Sequence, residues 1–148
     1  EPSDIDRHGT CYWYNARISH YYTVENRVCD QQPPADLPVV AAMTLGLVSA
    51  LDEAQEDLAS RSWSDIIAAR EAACRSGLAG EVEGFTLSDF ATRMVEIAEA
   101  GLKKRKLGEE KFLAPCRRRL KDRSCPADSA RKIFDRDGMR GLVEERKL

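Results

Sequence analysis

The pattern of apolar and polar positions changes once along this chain. Thr10 to Ser19 and Thr23 to Asp30 are rich in aromatic and β-branched residues and read as two strands. The link between them, His20-Tyr21, is short enough for an antiparallel hairpin, which would set Arg17 near Glu25 and Arg27. Two strands alone are marginal in water, so the pair calls for a larger sheet that the remaining sequence does not supply. Gln31-Gln32-Pro33-Pro34 ends the second strand. From Asp36 onward the apolar positions take a helical period.

Val40, Met43, Leu47, Leu51 and Leu58 predict a helix over 37–59, with Asp36 as N-cap and Pro38 in its first turn. Its first half is apolar almost all round and is expected to be deeply buried. Ser62-Trp63-Ser64-Asp65 has the form of a capping box opening a second helix, which Gly77 stops. Residues 77–85 hold three glycines and read as a loop. Thr86-Leu87-Ser88-Asp89 opens a third helix, with Phe90, Met94, Ile97 and Gly101 on its core stripe. Gly108 breaks it. Glu109 to Arg123 predicts a fourth helix with Phe112, Cys116 and Leu120 buried and Pro115 kinking or restarting it. Pro126 begins the last, through Ile133 and Phe134 to Gly138, and the charged tail is expected to fray. The basic runs at 103–106 and 117–119 read first as solvated faces, the former also complementing a helix dipole.

The fold class is therefore α+β: a short antiparallel hairpin (1–32) contributing to a larger sheet, followed by a mainly helical portion (33–148). At 148 residues the chain is one domain or a piece of one. A net charge of −2 gives no strong pull toward nucleic acid or membrane. No apolar run approaches the length of a membrane span, and no signal-peptide pattern is visible. The five cysteines include no C-x-x-C, and with only two histidines zinc spacing is absent. Reduced thiols in a cytoplasmic protein follow. The chain begins at Glu1, so it reads as a processed product, a trimmed form or a fragment.

Candidate chemistry concentrates in the second strand. Thr23, Glu25, Arg27 and Cys29 fall on one face of it. An acid and a base two apart are either a solvated strand face or a pair that holds metal and phosphate side by side. In the second case the carboxylate offers hard oxygen ligands to Mg²⁺ and the guanidinium forks onto phosphate oxygens.

Trp13-Tyr14-Asn15-Ala16-Arg17, then Thr23-Val24-Glu25-Asn26-Arg27-Val28-Cys29-Asp30, then an Ala/Leu-rich helix, resembles the carboxylate–amine ligases of the glutamate–cysteine ligase type 2 family. Its members typically show W-W-D-x-R followed by T-V-E-V-R-x-x-D. Phe90 to Arg105, Glu110 to Pro115 and Pro126 to Ala130 resemble later helical segments of the same family. The likeness covers most of this chain and the last part of the family's length.

The resemblance implies a glutamine-synthetase-like funnel of antiparallel strands. It also implies transfer of the γ-phosphoryl group of ATP to a carboxylate, then displacement of phosphate by an amine. On that analogy Glu25 is a Mg²⁺ ligand, Arg27 stabilises the transferring phosphoryl group, and Arg17 faces a substrate carboxylate or phosphate. ATP and Mg²⁺ are the implied cofactors; a glutamate-like acid and an amine are the implied substrates. Asn26 and Asn15 depart from the family pattern. The family's other metal-binding acids have no counterpart here, so the chain is expected to need a partner chain or N-terminal portion for activity. The competing readings are a non-catalytic helical interaction module or regulatory subunit and, furthest from the motifs, a nucleic-acid binder using the basic runs.

Overall fold

The computed structural model describes residues 16–18, 21, 23–26 and 33–145, with only the backbone of Arg17 and Ile18. The chain divides into two compact units, Glu1–Pro33 and Pro34–Leu148. In the first, β1 (Ala16–Ile18) pairs antiparallel with β2 (Val24–Asn26). The described part of the second strand is thus shorter than the predicted Thr23–Asp30. Trp13, Tyr14, Asn15, Arg27, Cys29 and Asp30 lie outside the described residues.

In the second unit a 3₁₀ turn (Pro34–Asp36) leads into α1 (Pro38–Ser49), α2 (Leu51–Ala59) and α3 (Trp63–Ser76). A 3₁₀ turn over Gly77–Ala79 and a small antiparallel ribbon follow, β3 (Glu81–Val82) with β4 (Phe85–Thr86). Next come α4 (Leu87–Arg105), a 3₁₀ turn (Glu109–Leu113), α5 (Ala114–Asp122) and α6 (Pro126–Glu145). The architecture is α+β and mostly helical.

The core lies where α1 and α2 meet α4. Ala42, Ala98, Leu102 and Leu113 form one buried cluster, with Met43 and Leu47 against it. Ala50, Ala54 and Ile97 form the other, with Leu47 and Met94. Ile97, Leu102 and Leu113 are fully enclosed at 0% exposure. At the crossing of α1 and α4 the backbones touch. A Cβ on Gly46 would lie 2.8 Å from the carbonyl carbon of Ala98. One on Gly101 would collide with the Gly46 carbonyl oxygen and sit 3.2 Å from the Ala50 Cβ. Glycine is required at both positions because any side chain would push the helices apart.

Several boundaries obey local chemistry. Ser62 Oγ accepts from the Asp65 N–H at 3.1 Å, and the Asp65 carboxylate accepts from the Ser62 N–H at 3.2 Å, completing the capping box. Thr86 caps α4 by accepting from the Asp89 N–H at 3.0 Å. Gly77 ends α3 with φ 54°, a left-handed conformation that favours glycine.

Other elements depart from expectation. The helix predicted over 37–59 is two helices bent by 84° at Ala50, which adopts φ −124°, ψ 41°. The bend turns α2 so that Ala50 and Ala54 both reach Ile97 on α4. Asp36 does not cap α1; the N-cap is Leu37, without a side-chain hydrogen bond. The first half of that helix is not buried all round: Val48 is 62% exposed, and Leu37, Leu45 and Leu51 are exposed with it. In the 109–122 region the buried residue is Leu113, whereas Phe112 is exposed, because a 3₁₀ turn rotates the face and Pro115 restarts the helix. The last helix continues past Gly138, where φ 65° and ψ −164° break it. Among the described residues no single helix is long and apolar enough to cross a membrane.

Candidate active site

The ribbon β1–β2 positions the candidate residues. Its register pairs Ala16 with Asn26, Arg17 with Glu25 and Ile18 with Val24. Direct cross-strand partners share a face, so Arg17 and Glu25 occupy one face of the ribbon. The hairpin anticipated from the short link between strands is present, and its register makes Arg17 and Glu25 opposite neighbours. Arg27 falls outside the described residues.

Burial along β2 inverts the usual alternation. Val24 is 75% exposed, while Glu25 is half-buried and Asn26 is exposed. An ordinary half-covered strand hides its valine and offers its carboxylate to water. Here the acid is on the more sheltered face.

A magnesium site needs about six oxygen ligands in near-octahedral order. Among the described residues no group of three or more His, Cys, Asp or Glu stands close enough to hold a metal. Glu25 with the described residues around it therefore does not make a Mg²⁺ site. The described cysteines, Cys74, Cys116 and Cys125, are free thiols. Burial pushes the Cys116 thiol above its ordinary pKa, which leaves it protonated rather than nucleophilic.

The charged groups of the helical unit are tied to one another. Arg118 and Arg119 both donate to the Asp36 carboxylate, with Nη2 to Oδ2 distances of 3.1 Å. Arg117 Nη2 lies 2.7 Å from Glu99, which also takes Lys103 Nζ at 2.7 Å. The hydrogen bond from Lys103, followed by that from Arg117, holds the Glu99 carboxyl below the usual carboxylate range. Arg105 Nε donates to Glu109 at 2.6 Å. In the run 117–119, expected to face solvent, Arg117 and Arg118 are exposed and Arg119 is half-buried, and their ion pairs also link α5 to α4 and to the turn before α1.

A second cluster was not visible in the sequence. Arg93 donates to Asp57 at 3.1 Å and to Glu53 at 3.2 Å, joining α4 to α2. The Arg61 guanidinium lies 4.5 Å from the Phe85 ring centre and 4.8 Å from that of Phe90. These residues clamp α2, β4 and the start of α4. They come from segments 24 to 40 positions apart, and no motif marks them.

The model of glutamate–cysteine ligase family 2 matches residues 3–146, which is nearly the whole chain. The chain belongs to that family, whose members are ligases. Comparison with the curated proteins and with the solved structures returns no match.

Proposed function

We propose that this chain is the C-terminal portion or a subunit of an ATP-dependent carboxylate–amine ligase, working with an N-terminal portion or partner chain in the cytoplasm. The observation that carries the reading is the family match across residues 3–146 together with Glu25 on the sheltered face of the ribbon. In the reaction, an oxygen of the substrate carboxylate attacks the γ-phosphorus of ATP and ADP leaves. The amine then attacks the acyl carbon, an amide bond forms, phosphate departs and the amine loses a proton. A glutamate-like acid and an amine such as that of cysteine are the substrates.

Charge spreads over the phosphoryl oxygens during transfer, and fixed cations stabilise it. Arg27 is assigned that role, and Arg17 belongs to the same substrate-facing group. Glu25 would offer one oxygen ligand to Mg²⁺, and the other ligands would have to come from the completing segment. When bound, Mg²⁺ neutralises phosphate charge.

Native mass spectrometry of the protein from its source tests the assembly: a larger chain in fixed ratio is expected. In that assembly, Glu25→Ala and Arg27→Ala should each lower amine-dependent ADP release by about a thousandfold, the scale of a phosphoryl-binding arginine. Near-normal rates in either variant overturn the residue assignment.

The exposed apolar residues Leu45 and Val48 of α1, with Leu37 before it and Leu51 at the start of α2, favour a second reading, a non-catalytic helical interaction module. It predicts that a lone, folded chain binds a partner protein regardless of Glu25 and Arg27.

A further inference from the structure

We propose that Asp36, held by Arg118 and Arg119, is the pin that fixes how the chain enters the helical unit, and so a positioning residue for the strand pair that carries Glu25. That strand pair is the element preceding this segment in the chain. From Pro33 to Pro38 every residue is exposed except Asp36, which is half-buried. The segment thus has no apolar grip of its own on the helices. Its prolines at 33, 34 and 38 restrict backbone rotation, so a hold on one residue is passed to its neighbours. The hold comes from α5. Arg118 Nη2 donates to both Asp36 oxygens, at 3.3 and 3.1 Å, and Arg119 Nη2 donates to Oδ2 at 3.1 Å. The Asp36 side chain keeps only 13% of its surface in solvent. Charge-assisted hydrogen bonds count for more when water is kept from them. Two guanidinium groups on one carboxylate, with no capping of α1 to compete for it, hold the acid in one geometry.

The effect on Glu25 rests on the ligase reading; the pin itself does not. The test therefore has two arms on the full chain. In the first, hydrogen exchange is followed at the Leu37 and Val40 amides, which donate to the Pro34 and Leu37 carbonyls. Asp36→Asn should speed both about tenfold, the scale of a lost charge-assisted hydrogen bond, while the Ile97 and Leu102 amides keep their wild-type rates. Arg118→Ala combined with Arg119→Ala should do the same, and adding Asp36→Asn to that pair should change nothing more. Unchanged exchange at Leu37 and Val40 overturns the proposal. So does equal acceleration at Ile97 and Leu102, which marks a general loss of stability. If Asp36→Asn does not fold, Arg118→Ala alone, which leaves Arg119 on the carboxylate, carries the same comparison.

In the second arm, the completed enzyme carrying Asp36→Asn should assemble in the wild-type ratio and lose about tenfold in kcat, with the KM for the acid substrate within about twofold. Asp36→Glu, which keeps the charge, should recover most of the loss. A wild-type rate alongside faster exchange at Leu37 and Val40 overturns the positioning role. A wild-type assembly with no amine-dependent ADP release ends the ligase reading, and the first arm still decides the pin.

Discussion

In the helical unit Ile97, Leu102 and Leu113 are wholly enclosed, and Gly46 and Gly101 let two backbones meet. In the strand unit Val24 keeps three quarters of its surface in solvent, and each described strand is three residues long. The helical unit has the dense interior. The strand unit has a hydrogen-bonded register and a sheltered carboxylate. The comparison teaches that the described residues divide in two: the dense interior lies after Pro34, and the strand pair that carries Glu25, the residue proposed for ligase chemistry, lies before it.

Substitutions can break this division. The largest effect is expected at the ribbon: Glu25→Ala should abolish ligation in the assembled enzyme yet leave the thermal midpoint of the helical unit within about a degree, as a surface change does. A drop of several degrees would show that the two units share stability after all.

Core changes should do the reverse. Leu102→Ala removes a fully enclosed side chain and is expected to cost about 2–5 kcal/mol in denaturant unfolding. Gly101→Ala forces a methyl into the Gly46 backbone and should cost about 1–3 kcal/mol. If Gly101→Ala is neutral, the close helix crossing is not what fixes α1 on α4.

Smaller effects sharpen the account of local chemistry. Ser62→Ala removes the capping-box acceptor and should cost about 1 kcal/mol, read as a lower unfolding midpoint. Glu99 gives a pH signature. Its folded pKa is depressed, so its tie to Lys103 and Arg117 stabilises the fold above the unfolded carboxylate value of about 4.3. That contribution is lost as pH falls from there through the depressed folded value. Glu99→Gln should therefore weaken the protein at neutral pH and flatten the acid limb of its stability curve. An unchanged acid limb would mean the exposed pair contributes nothing measurable.

Much of this fold was legible in the sequence. The α+β division, the capping box at Ser62, the N-cap at Thr86, the glycine stop at 77 and the stripe through Met94, Ile97 and Gly101 all depend on residues within one or two turns of each other. The hairpin was legible from its short link. The family match covers residues 3–146, nearly the whole of the chain's linear order.

Long-range geometry decided the rest. An 84° bend at Ala50 has no breaker residue to announce it; it follows from packing both halves on α4. Arg118 stays exposed as a solvated run predicts, but folding also brings Asp36, more than eighty positions away, into contact with it and with Arg119. That same contact draws Asp36 away from the capping role its position suggested. The sequence by itself determined which segments are helix or strand and which motif they carry, because those choices are governed by neighbours along the chain. Which charges find partners, which apolar face of α1 is covered and which residue stands opposite Glu25 were decided by tertiary structure, because they depend on distances that only the folded backbone defines.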